Sequence, residues 1–386
     1  MDRDYYCSMK FKYLKVDLES NLTYCCHAAT PHAIDKQWLK ENPGQLFNTP
    51  LIHKERTMML NNQRNSSCEQ NCWPAEDKGA TSPRIYQHGI EKTHTDINVQ
   101  PEEIEFTVTS ECNLTCSYCC KEYSTAWKRD LLDNGDYGLD DNRYKLIDKD
   151  KILYRLSQNE KINSKQYQTL LNEVSLITDA NVREFTITGG EPFLNNQLMS
   201  VVELARSCGK LIIYTGLGIA NTRFEKILEQ LKDYPNLELR ISAENIGKKL
   251  EFNRYGINSD EFLHKVELIK QSGIKHVFHL TLTNLTIFGL AEFYEKFAGT
   301  KLLITYAYQP EFMAINVLDN ASKQQLLKEL VALPELHYNR ITQSIAETPT
   351  DQQRADLKMF INKFASRRNL DLNIYPTNFI NWINQQ

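Results

Sequence analysis

The sequence has no run of about 18 apolar residues, so no membrane-spanning helix is expected. It has no basic block either: 45 Lys and Arg stand against 49 Asp and Glu, for a formal net charge of −4. A long surface that tracks nucleic-acid phosphates is therefore not expected, although a short or single-nucleotide substrate stays open. The opening residues, Met1 to Tyr6, lack the charged-then-apolar pattern of a signal peptide, and a cytoplasmic protein is expected. Internal repeats and low-complexity segments are missing as well. With 41% hydrophobic residues over 386 positions, the chain can build a packed core, either as two domains or as one large α/β domain with an appendage.

Cysteine, by contrast, is plentiful. There are ten, in two clusters: Cys7, Cys25, Cys26, Cys68 and Cys72, then Cys112, Cys116, Cys119 and Cys120, with Cys208 alone. In a reducing compartment these are not expected to form structural disulfides, and clustering points to metal or iron–sulfur ligation.

Residues 1–85 hold five of the cysteines and little sustained periodicity. The alternation Phe11 to Asp17, the polar turn Glu19-Ser20-Asn21 and the run Leu22 to Cys25 predict a hairpin. So small and loop-rich a module has little core of its own, and a metal site would supply what packing cannot. Residues 86–102 read as a linker. A strand–helix alternation then runs through 103–335. Strands are expected at Ile104–Thr109, Glu184–Thr188, Lys210–Thr215, Leu237–Ser242, His276–Thr283 and Leu302–Tyr308, with helices near 164–177, 196–207, 222–232, 259–271 and 287–297. Six such units predict a parallel sheet, in an open barrel or a doubly wound fold, with chemistry at the C-terminal ends of the strands. The polar stretch 121–163 interrupts the first unit and reads as a surface loop or, alternatively, a lid. Residues 336–386 read as a helical extension packed back on the rest of the chain.

Two motifs carry chemistry. Cys112-Asn113-Leu114-Thr115-Cys116-Ser117-Tyr118-Cys119 places three thiolates on one loop after the first strand of the alternation. Three ligands suit three corners of an iron–sulfur cubane and leave the fourth iron open. A zinc site is the alternative, weakened because structural zinc wants four ligands and no histidine lies nearby. One strand later, Glu184–Thr188 runs into Gly189-Gly190-Glu191-Pro192. Glycines there permit close approach to the backbone, and the carboxylate can accept from an ammonium group.

The three-cysteine loop with Tyr118 before its last cysteine, followed by the Gly-Gly-Glu-Pro turn, resembles the radical S-adenosylmethionine (SAM) superfamily. The resemblance implies a partial (β/α)6 TIM-like barrel. It implies a 4Fe–4S cluster on Cys112, Cys116 and Cys119, whose open iron chelates the amino and carboxylate groups of SAM. Gly189, Gly190 and Glu191, with Pro192 completing the turn, would receive the amino group. Ser242 matches a position where related enzymes touch the SAM ribose or carboxylate. Glu244 and Arg254 are further candidates, with an ordinary surface ion pair as the alternative. The activity implied is reductive cleavage of SAM to a 5′-deoxyadenosyl radical, with electrons from a flavodoxin- or ferredoxin-type donor.

The N-terminal cysteines are similar to the SPASM or twitch auxiliary-cluster modules of that superfamily, here placed before the barrel. The similarity extends to Trp73, Glu76, Gly79, Ser82 and Arg84 and to the stretch Asn48–Arg56. It implies a second 4Fe–4S cluster on Cys7, Cys25, Cys68 and Cys72, with Cys26 an alternative to Cys25 and a zinc knuckle an alternative to the cluster. Such modules often accompany peptide or protein substrates; a nucleotide, sugar or other small molecule is the second reading. A non-enzymatic, metal-stabilised interaction protein is the third. His276 and His279, on the fifth strand of the alternation, read as structural histidines, with a cavity-facing position for one of them as the alternative, and Tyr306 and Tyr308 as candidates to face a cavity.

Overall fold

The computed structural model describes residues 4–27, 29–79, 81–85, 90, 92–147, 149–150, 152–153, 164–179 and 181–385. The end of the 121–163 insertion and part of the 86–102 linker lie outside them. The strands are β1 (Tyr13–Asp17), β2 (Leu22–Tyr24), β3 (His32–Ala33), β4 (Glu103–Thr107), β5 (Thr115–Cys116), β6 (Glu184–Thr188), β7 (Leu211–Thr215), β8 (Leu237–Ser242), β9 (Arg254–Tyr255), β10 (Lys275–Leu282) and β11 (Leu302–Tyr306). The expected alternation is present: helices Ser164–Ile177, Leu198–Leu204, Asn221–Leu231, Ser259–Ser272 and Leu290–Lys296 separate its strands. Among the described residues no helix is long and apolar enough to cross a membrane.

The chain divides into two compact units. The first comprises 1–109, 158–213 and 234–238. Its strands β1, β4, β6 and β7 run parallel, β2 pairs antiparallel with β1, and β3 pairs antiparallel with β2. The expected hairpin is therefore present, and its first strand lies directly against β4, from Tyr13 opposite Glu103 to Asp17 opposite Thr107. The alternation of β1 explains the fit. Leu14 and Val16 are buried on one face. Lys15 stands opposite Glu105 in the ladder, and its Nζ lies 2.9 Å from that carboxylate. The Tyr13 hydroxyl donates to the other Glu105 oxygen at 2.7 Å.

The second unit comprises 110–157, 214–233 and 239–386. Strands β10 and β11 pair in parallel, and β5 pairs antiparallel with β9. Helix Ser259–Ser272 shows why its residues fold as they do. Asn258 caps it by accepting from Glu261 N at 3.0 Å. Phe262, Val266 and Ile269 form its buried stripe, and Gly273 ends it at a φ of +74°. The C-terminal extension is helical. Its longest helix, Asp351–Arg368, opens on a capping box of Thr350 and Gln353 and buries Leu357, Phe360, Ile361 and Phe364.

Against that helix packs part of the insertion read as a surface loop. Residues Thr125–Asn134 are helical, and Trp127, Leu131, Tyr137 and Tyr144 are fully buried. Trp127 lies 5.5 Å from Tyr137, 5.4 Å from Tyr144 and 5.9 Å from Phe364, ring centre to ring centre. The abundant Asp and Asn of this stretch conceal four apolar anchors spaced too irregularly to show a period.

Candidate active site

The cysteine loop is held by its backbone. Strand β5 lies within it, and Cys116 pairs with Arg254 of β9. Ser117 adds a bond from its N to Asn253 O at 2.8 Å and one from its hydroxyl to Asn253 Oδ1 at 3.0 Å. The carbonyls of the loop are then claimed by the segment that follows. Ser124 Oγ donates to Leu114 O (2.7 Å), Thr125 Oγ1 to Cys112 O (2.9 Å), Trp127 Nε1 to Cys116 O (3.0 Å) and the Tyr144 hydroxyl to Cys119 O (3.0 Å). These side chains fix the path on which the three sulfurs hang, a role the sequence did not disclose. Glycine is required nearby at Gly256, where φ is +107° and a Cβ would stand 2.9 Å from Asn113 O.

Cys116 is buried, and Cys112 and Cys119 are half-buried. Burial, and the sulfurs of Cys120, Cys116 and Cys112 around it, push the Cys119 thiol well up. Thiols crowded in this way resist ionising together unless a cation joins them, as iron would. Among the described residues no three His, Cys, Asp or Glu side chains stand close enough to hold a single metal ion. Three thiols carried on one loop suit three corners of a cubane, whose iron atoms each take one thiolate.

Tyr118, Glu244 and Arg254, named separately from the sequence, form one buried constellation. The Arg254 guanidinium donates from Nε to Glu244 Oε2 at 3.0 Å and from Nη2 to Glu244 Oε1 at 2.8 Å. The Tyr118 hydroxyl donates to the same Oε1 at 2.8 Å, and Arg254 Nη1 reaches Cys116 Sγ at 3.9 Å. Glu244 has 0% and Arg254 6% of its side chain exposed. The surface ion pair allowed by the sequence is therefore overturned: both charges have left water and are matched by each other and Tyr118, with Thr281 N donating to Glu244 Oε1 at 3.2 Å. Ser242 ends β8, half-buried.

In the first unit, the glycine turn follows β6. Gly190 N donates to Thr109 O at 2.7 Å, and a Cβ on Gly189 would lie 2.7 Å from the same oxygen. The first glycine is there for backbone approach. Glu191, 1% exposed, accepts from Phe193 N at 3.1 Å and so caps the turn that Pro192 opens.

The N-terminal cysteines also converge. Cys7, Cys25, Cys26, Cys68 and Cys72 belong to one buried cluster with Tyr6, Phe11, Tyr13, Met59 and Trp73. A hydrogen bond shared by Cys68 and Cys72 lowers Cys72 to about 6 and raises Cys68. A bond with Cys26 lowers Cys25 to about 5 against the effect of burial, and Lys10 assists. Cys25 and Cys26 thus both remain candidates.

Buried cations surround this cluster. Arg56, 0% exposed, donates to Lys10 O, Asn48 Oδ1, Ile97 O and Phe47 O, all neutral acceptors. Arg84 pairs bidentately with Glu76, at 3.0 and 2.7 Å, and donates to Tyr6 O at 2.7 Å. Ser82 donates to the same Glu76. Lys10 sits between Glu55 and Ser67. Buried cations beside buried thiolates suit an anionic iron–sulfur cluster. The residues Asn48, Arg56, Glu76, Ser82 and Arg84, named from the sequence, are thus the frame that holds the thiols. Lys10 and Glu55 were missed because nothing in their local sequence distinguishes them from surface charges.

Residues 106–297 match the family model described as the Radical SAM superfamily. A comparison with curated proteins finds no significant match. Among solved structures, anSMEcpe with bound AdoMet is 16% identical with a TM-score of 0.37, and the alignment covers 59% of this chain and 58% of that one. SuiB of Streptococcus suis bound to precursor peptide SuiA is 12% identical with a TM-score of 0.35, covering 95% and 71%. This chain therefore spans less than two thirds of the length of the first of these. Through residues 106–297, with the cysteine loop and the glycine turn both inside the match, the protein belongs to the radical SAM superfamily of enzymes.

Proposed function

We propose that the protein cleaves SAM reductively and uses the resulting radical to modify a peptide or protein. The observation that carries this reading is the loop of three thiols braced by the buried Tyr118–Glu244–Arg254 constellation. Cys112, Cys116 and Cys119 would hold the first 4Fe–4S cluster. Gly189, Gly190 and Glu191 would receive the SAM amino group, and Ser242 its ribose or carboxylate. When bound, cluster and SAM supply a 5′-deoxyadenosyl radical that takes a hydrogen atom from an unactivated C–H bond. The chain's own contribution is placement and dryness. Arg254 steadies Cys116, and Trp127 and Tyr144 seal the loop from behind.

The second cluster is part of the proposal. Residues 1–85 form its module, joined by 86–102 to the barrel of 103–335 and followed by the extension 336–386. Its buried cysteines and cationic frame support it, and its presence favours a peptide substrate. A cytoplasmic location and a flavodoxin- or ferredoxin-type electron donor complete the reading.

Anaerobically reconstituted protein, reduced with dithionite and given SAM, is expected to release 5′-deoxyadenosine, measured by chromatography. No nucleoside from protein with verified cluster absorbance would remove the activity. Cys72→Ala is expected to lower the iron content by about one four-iron cluster while keeping the spectroscopic signal of the first. An unchanged iron count would remove the second cluster.

A further inference from the structure

The buried charges around the N-terminal cysteines fall into pairs, with one exception. Lys10 is paired with Glu55, Lys15 with Glu105 and Arg84 with Glu76, and none of these carboxylates is more than 7% exposed. Arg56 is wholly buried on helix Pro50–Leu60, and its hydrogen bonds all end on neutral oxygens. They reach Lys10 O at 3.0 Å, Asn48 Oδ1 at 2.8 Å, Ile97 O at 2.7 Å and Phe47 O at 3.1 Å. The Phe47 and Phe11 ring centres lie 4.3 and 5.7 Å from its guanidinium carbon. A guanidinium taken out of water without a carboxylate is costly, so its charge is expected to serve another anion.

Asn48 shows that the missing carboxylate is not a matter of space. Its Oδ1 accepts from Arg56 Nη1 and, at 3.3 Å, from Val99 N, while its Nδ2 is buried with no hydrogen-bond partner. An aspartate of the same shape would serve both donors and complete an ion pair. The amide keeps the position neutral. The cysteines are the next anions inward. Arg56 Nε holds the carbonyl of Lys10, whose own N donates to Cys7 O at 3.2 Å. Met59, one turn along the same helix, packs in the buried cluster that contains Cys7, Cys25, Cys26, Cys68 and Cys72. Burial lowers Arg56 to about 10, against the pull of Cys25 and then of the exposed Asp96, so the guanidinium is charged at neutral pH.

We propose that Arg56, left unneutralised by Asn48, sets the reduction potential of the second 4Fe–4S cluster and raises it. Reduction moves one electron onto the cluster from dithionite, which is oxidised to sulfite; the cluster itself gains no proton and no bond. The added negative charge lies among buried groups, where a fixed cation lowers its energy. This inference rests on the second-cluster reading given above, and its test separates the two.

Full-length, cluster-loaded protein is titrated with dithionite under anaerobic conditions and followed by electron paramagnetic resonance. The second cluster's signal is the part that Cys72→Ala lacks. Asn48→Asp is expected to lower its midpoint potential enough to change the reduced-to-oxidised ratio about tenfold, a shift of about 59 mV for one electron. Arg56→Gln is expected to do the same, and Arg56→Lys to stay near the wild type. Asn48→Asp keeps both hydrogen bonds, so it reads charge alone and stands even where Arg56→Gln fails to load iron. An unchanged midpoint in Asn48→Asp at full iron content, or a fall in Arg56→Lys as large as that in Arg56→Gln, would overturn the inference. A wild type whose signal and iron content match those of Cys72→Ala would remove the second cluster, and this inference with it.

Discussion

Cys116→Ala is expected to release no 5′-deoxyadenosine above the protein-free background, a complete loss rather than a partial one. Cys116 is the buried member of the triad, paired through its backbone with Arg254 and touched at sulfur by the same guanidinium. Alanine keeps the short β5–β9 ladder but removes one of the three proposed anchors. Cys120 is buried, and the Cys119 carbonyl is tied to Tyr144. Chromatography of the reaction, with iron and sulfide analysis of the same sample, checks the outcome. Turnover by Cys116→Ala would mean that the cluster is held by other residues.

Glu76→Ala is expected to be the most destabilising single change in the N-terminal cysteine module, costing about 3–5 kcal/mol. It strands Arg84, whose side chain is 3% exposed and whose guanidinium lies 5.2 Å from the Trp73 ring. Replacing both partners, as in Glu76→Leu with Arg84→Met, is expected to cost much less, because the penalty belongs to the unpaired charge and not to the loss of the pair. Hydrogen exchange over residues 66–79 in the cluster-loaded protein reads this directly. If the single variant protects these amides as well as the wild type does, the ion pair has no part in holding Cys68 and Cys72.

The barrel strands and their helices were legible in the sequence because each is a local pattern. Glu184–Thr188 and Leu237–Ser242 occur with the expected limits, and helix 164–177 likewise. The cysteine loop was legible because its spacing is local too. What escaped was non-local. Glu244 and Arg254 each look like surface charges, and only the fold, by setting β9 against β5, brings their side chains into a dry pair. The role of Trp127 escaped for a related reason: its partner is a single backbone carbonyl of Cys116, and no composition or period reports that. Between His276 and His279 the sequence left a cavity-facing position open, and the parity of β10 sets His279 opposite to the buried Phe278 and Leu280.

The ladder between β1 and β4 also constrains how the chain can be made. As synthesis proceeds, Tyr13–Asp17 leaves the ribosome long before Glu103–Thr107 exists, and the first unit is complete only after Ile213 and the short segment 234–238. Until Glu103–Thr107 has emerged, one side of β1 stays open in the nascent chain, and closing it means joining segments far apart along the polypeptide. Such contacts form slowly, and the waiting edge is a place for wrong partners. Protein made quickly and in excess is therefore most vulnerable to aggregation through this strand.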